Sequence, residues 1–190
     1  MPNKYTFRSL VANTIKLLTE NRIPYVVIGG MASDVWGRPR KTLDIDIVIQ
    51  VNPEKSEAFL KIAEKYHFKF NRQKALNQIM NMGMCRLFYG DYHADVIMGY
   101  SEFEQGVFTR KRKVSILGKN VWVASPEDVI LYKLLSNRPI DQSDIANIVA
   151  AQGGKLDTKY LNKRAAIMNR ELLRADIRNN LDKILSEIGR

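Results

Sequence analysis

The 190-residue chain has a single cysteine, Cys85, and only two histidines, His67 and His93. One thiol cannot close an internal disulfide, and this pool is too small for a Cys/His zinc cage, so any metal chemistry falls to oxygen ligands. No apolar run approaches the ~18 residues of a membrane span. The opening Met-Pro-Asn-Lys-Tyr-Thr-Phe also lacks the apolar stretch of a secretory leader. The expectation is a cytoplasmic protein with no membrane partner. Acids are outnumbered too, 20 Asp and Glu against 30 Lys and Arg, for a formal net charge of +10. Such a field draws in nucleic acid or small phosphate-bearing ligands and suits cationic substrates poorly, although solubility alone is an adequate reason for it. Walker-type and dinucleotide-binding glycine motifs are missing, which speaks against an ATPase or a dehydrogenase.

What is present is an ordinary globular composition, 45% hydrophobic and 26% charged. It leaves room for one catalytic core and a small appendage. Residues 5–20 place Phe7, Leu10, Val11, Thr14, Leu17 and Leu18 at the spacing of one buried helical face. Pro24 then introduces Tyr25-Val26-Val27-Ile28, a buried strand that stops at Gly29-Gly30. A short helix over 32–36, a basic loop over 37–41 and a second strand over 43–51 follow. Pro53 suits the first turn of a helix reaching about residue 66, whereas 68–83 has no clear pattern. Strands over 85–89 and 92–98 flank Gly90-Asp91 as a hairpin, and 114–117 with 121–123 suggest another. Ser125-Pro126-Glu127-Asp128 opens a helix over 126–136, and helices over 141–151 and 159–188 complete the chain. The order implies an α+β core over 1–124 with a helical C-terminal region, 125–190, packed on it.

Leu43-Asp44-Ile45-Asp46-Ile47-Val48-Ile49 alternates as a strand does, with the isoleucines on one face and both acids on the other. Two acids held side by side on a strand are a partial magnesium site, because this ion takes oxygen ligands and keeps waters and substrate phosphates. His93-Ala94-Asp95-Val96-Ile97 has the same acid-in-apolar pattern and can lie beside the first in one sheet. Three converging acids repel one another unless a cation compensates them; the alternative is that they face water from a half-exposed sheet. The Gly29-Gly30 turn leaves backbone N–H groups open to phosphate oxygens at a helix start, or simply marks a tight bend.

The set resembles the DNA polymerase β-like nucleotidyltransferases, in which a strand ending in Gly-Gly or Gly-Ser is followed by Asp-x-Asp and then by a third acid on a later strand. Here it reads Val27-Ile28-Gly29-Gly30, Leu43-Asp44-Ile45-Asp46-Ile47 and Ala94-Asp95-Val96. Arg40-x-Thr42-x-Asp44-x-Asp46, the segment from Ser125 to Lys133 and that from Arg138 to Ile145 look most like small bacterial members related to abortive-infection toxins of toxin-antitoxin pairs. The resemblance implies a mixed β-sheet flanked by helices and a displacement assisted by two magnesium ions, with an NTP as substrate. Asp44 and Asp46 would hold the nucleotide-bound ion, and Asp95 would help hold the ion that activates an acceptor hydroxyl or act as its base. It further implies nucleotide contacts from Gly29, Gly30, Arg40 and Lys133, and a cognate antitoxin protein as a partner.

Lys133 falls on the buried side of its helix, where it either touches phosphate or snorkels to solvent. Arg40 either neutralises phosphate or is a solvated loop residue. Asp141 and Asp144 are explained by helix capping and the macrodipole. His93 shares the strand face of Asp95. Arg110-Lys111-Arg112-Lys113 is the best candidate for RNA contact, while the acids interspersed in the C-terminal tail mark it as a solvated helix. The expected reaction moves a nucleoside monophosphate from an NTP to a hydroxyl, with RNA, including tRNA, as the favoured acceptor. An antibiotic or a protein hydroxyl is the rival acceptor, and a non-catalytic RNA- or protein-binding module is the rival class.

Overall fold

The computed structural model describes residues 5–136, 138–174 and 176–188; the first four residues of the opening segment read above lie outside it. Helix α1 (Phe7–Glu20) leads into β1 (Tyr25–Ile28), whose four residues are all buried and which therefore has no solvent face. α2 (Gly29–Trp36) starts at the strand's end, three residues earlier than the sequence pattern suggests, because Gly29 takes a left-handed φ of 65° and turns the chain at once. β2 (Asp44–Ile49) is two residues shorter at its end than expected, since Asn52 already caps a 3-10 turn at Pro53–Lys55 ahead of α3 (Ser56–Lys65).

The segment without a clear pattern forms α4 (Arg72–Met82), capped by Asn71 and closed by Gly83 at φ 67°. β3 (Met84–Tyr89) and β4 (Tyr92–Met98) make the expected hairpin. An unforeseen helix, α5 (Glu102–Arg110), follows behind a Ser101/Glu104 capping box. The second hairpin pairs β5 (Arg112–Ile116) with β6 (Lys119–Val123) across Leu117 and Gly118, both at positive φ as a two-residue hairpin turn requires. Helices α6 (Pro126–Ser136), α7 (Pro139–Gln152), α8 (Thr158–Leu172) and α9 (Asp176–Ile188) complete the described chain.

The strands form one mixed sheet in the order β3-β4-β2-β1-β6-β5. β2 and β4 run parallel at its middle, and β1 lies antiparallel to β2 and parallel to β6. α6 is buried almost throughout, from Pro126 to Leu134, because it packs against α2, α7, α8 and α9. This packing brings α7 against α2, and with it the side chains of Asp141 and Asp144 to the Gly-Gly end of the sheet. Among the described residues no helix is long and apolar enough to cross a membrane.

Candidate active site

The site is set by strand register. Ile45 and Ile47 point into the core and leave Asp44 and Asp46 on the opposite face of β2. Parallel pairing with β4 sets Asp44 beside His93 and Asp46 beside Asp95. β3 extends both rows, with Phe88 opposite His93 and Arg86 opposite Asp95. One sheet face therefore carries Phe88, His93 and Asp44 in one row and Arg86, Asp95 and Asp46 in the next.

Asp46 is the most constrained acid. Burial, then the charges of Asp44 and Asp95, push its carboxyl up to about 6, although Lys133 and the Gly30 N–H act the other way. The Gly30 amide is thus turned onto the carboxylate. A Cβ on Gly29 would stand 1.8 Å from Asp46 Oδ2, so only glycine permits this approach. Gly30 faces Thr42 Oγ1 and Arg40 Nη2, which a Cβ would meet at 3.0 and 3.2 Å. The Thr42 hydroxyl donates to Asp44 Oδ1 at 2.7 Å. His93 Nε2 is buried without a hydrogen-bond partner among the described residues, 3.7 Å from Asp44 Oδ2 and 3.9 Å from Asp95 Oδ2.

Asp95 is held by Arg86, whose Nε and Nη2 donate to its two oxygens at 2.7 and 2.8 Å. Arg86 is not among the site residues expected from the sequence, yet the hairpin contains the signal: a two-residue turn at Gly90-Asp91 pairs 89 with 92 and so 86 with 95. Among the described residues no group of three His, Cys, Asp or Glu side chains is arranged so that it could hold a metal ion by itself. The donors nevertheless suit magnesium. They are carboxylate oxygens on one rigid face, and this ion habitually takes its remaining ligands from water and phosphate.

Lys133 and Arg40 meet beside the glycine turn, in a buried network. The Lys133 ammonium contacts Asp141 Oδ1 at 2.8 Å and Asp144 Oδ2 at 2.7 Å, and Arg40 donates to both Asp144 oxygens at 2.9 and 3.0 Å. Burial raises the Asp141 carboxyl, but hydrogen bonds from Arg138, Lys133 and Ser136 outweigh it and hold the group well below the usual carboxylate range. Asp144 is likewise lowered, by Arg40 and Lys133 against its burial. These two acids do more than cap α7, because the carboxylates are the counter-ions of both cations. The signal was their spacing after Lys133, and what hid it was that the contact crosses from α6 to α7.

The basic run 110–113 is not one patch. Arg110 turns inward, 4.0 Å over the Tyr160 ring and 3.2 Å from Glu127, and Lys111 lies over Phe108 and Trp122. Strand alternation and the helix–strand junction divide the four residues, leaving Arg112 and Lys113 as the exposed pair.

Two cavities flank the acid rows. One of about 390 Å³ opens at Asp95, between α4 and β3. The other, about 580 Å³, lies at Arg40 and Thr42 under β5.

A strand that ends in Gly-Gly, an Asp-x-Asp strand beside it and a third aspartate in register with the second thus meet at one end of the sheet. Residues 6–184 match the family model "Nucleotidyltransferase of unknown function (DUF6036)", and the chain belongs to that family. Its fold is shared with the antibiotic-resistance factor ANT(2″)-Ia in solution, at 20% identity, TM-score 0.59 and coverage of 87% of this chain and 93% of the other. A crystal structure of ANT(2″)-Ia with adenylyl-2″-tobramycin gives 18%, 0.59, 86% and 98% for the same quantities. The lincomycin-bound lincosamide antibiotic adenylyltransferase LnuA gives 16%, 0.56, 77% and 98%. No curated protein sequence matches the chain.

Proposed function

We propose that this nucleotidyltransferase moves a nucleoside monophosphate from an NTP to an RNA hydroxyl, with magnesium bound by Asp44, Asp46 and Asp95. The observation that carries the proposal is the register of Asp46 with Asp95, which gathers three carboxylates on one face at the mouth of the glycine turn. Arg86 compensates Asp95, and a bound cation would offset the repulsion left between Asp44 and Asp46.

In the reaction the acceptor oxygen forms a bond to the α-phosphorus as the bond to the pyrophosphate oxygen breaks, so the products are a nucleotidylated acceptor and pyrophosphate. When bound, the metal ions stabilise the leaving pyrophosphate and lower the pKa of the attacking hydroxyl. Asp95 receives the hydroxyl proton, and Arg86 fixes which way its oxygens point. Gly29 lets the Asp46 carboxylate reach the turn, and the start of α2 turns backbone N–H groups toward the phosphates. Arg40, clamped by Asp144, presents positive charge beside Gly30. Lys133 acts at one remove, by holding Asp144 in place.

The charge of +10 supports a polyanionic acceptor over a polycationic one. A toxin-like role with a cognate antitoxin is part of the proposal, supported by the likeness of the Arg40 to Asp46 and Ser125 to Ile145 segments to such enzymes. The fold neighbours act on antibiotics, which favours a small drug as the second candidate acceptor. The test incubates the protein with magnesium and each α-labelled NTP against total RNA, cell protein, tobramycin and lincomycin. Label is expected on RNA and absent with Asp44→Asn; label confined to a drug or to protein refutes the RNA acceptor.

A further inference from the structure

The cavity at Asp95 differs in chemistry from the rest of the site. Its walls come from α4 and the outer strand β3, and among its lining residues are Asn71, Lys74, Gln78, Arg86 and Phe88. The only acid in the lining is Asp95, whose charge is met by Arg86. Among the described residues Lys74 has no carboxylate partner. Phe88 is 47% exposed at the head of the His93 and Asp44 row, an aromatic face left open beside the acids. The surrounding sequence is one-sided: residues 65–90 hold five lysine or arginine residues and no aspartate or glutamate. Within that stretch α4 and its cap display Asn71, Gln73, Asn77, Gln78 and Asn81, whose amides both donate and accept hydrogen bonds.

Each feature selects a ligand property. Lys74 and the lack of free acids favour a phosphate and disfavour an ammonium. An open phenyl ring beside a cation is a stacking platform for a base. The Asn71 and Gln78 amides on the wall match the edges of unpaired bases, which a duplex would hide. The volume of about 390 Å³ is open to solvent along α4, so an occupant can continue out of the cavity as a chain.

We infer that the α4/β3 cavity is the acceptor site and that it takes the 3′-terminal nucleotide of a single-stranded RNA. The terminal base stacks on Phe88, the phosphate preceding it meets Lys74, and the terminal hydroxyl is turned toward Asp95. The inference rests on the proposed transfer to RNA and adds the strand form, the end that is modified and the residues that hold it.

The test measures binding, in the absence of metal and NTP, of a short single-stranded RNA carrying fluorescein at its 5′ end. The full chain is compared with Phe88→Ala, Lys74→Gln and the surface control Lys159→Gln. Phe88→Ala is expected to weaken binding about tenfold, as loss of one stacked base does. Lys74→Gln is expected to flatten the log-log salt dependence by roughly one unit. Lys159→Gln should bind as the parent does, and sealing the RNA into a duplex should abolish the Phe88 effect. Parent-like RNA binding by both cavity variants overturns the inference. So does an unchanged KM for RNA in those variants when the parent labels RNA, and in that case the transferase proposal stands without this site. If the parent labels no acceptor yet both variants bind RNA weakly, the transferase proposal fails and the cavity remains an RNA site.

Discussion

Replacing Lys133 by methionine separates a structural cation from a phosphate contact. Methionine keeps the packed stem and removes the ammonium that sits 2.8 and 2.7 Å from Asp141 and Asp144, both buried. Breaking a buried ion pair costs about 3–5 kcal/mol. Asp141 keeps Arg138 and Ser136, and Asp144 keeps Arg40, so the lower end, about 3 kcal/mol, applies. For a chain of this size that is a fall in Tm of roughly 6–12 °C. The assay is thermal and urea unfolding without nucleotide. Both carboxyls are held below their unfolded values, so the stabilisation is fully present above the unfolded pKa and is lost as pH falls through the folded pKa. The gap between parent and variant should thus be constant from pH 7 to about 5 and close below about pH 4. A loss under about 1 kcal/mol at pH 7, the range of an exposed ion pair, together with a raised KM for NTP, would refute the reasoning and make Lys133 a phosphate ligand.

Asp46 predicts the opposite pH behaviour. Its carboxyl is raised to about 6, so ionising it costs stability as pH rises from about 4 to about 6, and Asp46→Asn should be up to about 3 kcal/mol more stable than the parent at pH 8 without metal. Magnesium should stabilise the parent by about 2.7 kcal/mol at a hundredfold excess over Kd and the variant by less; calorimetric scans showing equal effects on both contradict this. Gly29→Ala should lose activity and at least about 1 kcal/mol of stability, because the φ of 65° disfavours a side chain and the new Cβ collides with Asp46. Unchanged turnover and denaturation midpoint would disprove it. Cys85 is buried, and burial followed by the Asp95 charge pushes its thiol up to about 12. It should resist a thiol reagent at pH 8 until urea unfolds the chain, and labelling of the native protein within minutes counts against the packing described.

The acid face was legible because strand alternation is local: Asp44 and Asp46 follow from the isoleucines between them, and Asp95 from its own apolar neighbours. Their meeting was not local, since it depends on β4 pairing with β2 in one register out of several. α4 escaped notice because only Ala75 and Ile79 are buried, so it carries little apolar periodicity. α5 escaped although its Ser101/Glu104 box was readable, since Phe103 and Val107 are its only buried residues. The pattern puts the start of α2 late because Gly29-Gly30 looks like a turn, whereas the glycine's left-handed φ lets the helix begin directly after the strand's last residue. The burial of Lys133 was evident from helical spacing. Its partners were not, because they lie on a different helix and their acids were already accounted for by capping.

Nucleotidyl transfer is proposed to depend on Asp46 and Asp95, which are in register, together with Asp44 beside His93. Its most direct measurement is pyrophosphate release from each NTP in the presence of total RNA, by the parent and by Asp44→Asn. Release is expected to require magnesium, to accompany nucleotide incorporation one for one, and to fall at least about a hundredfold in the variant, the scale of losing a principal electrostatic contact. Release by Asp44→Asn at the parental rate, or none from the parent with any NTP, would contradict it.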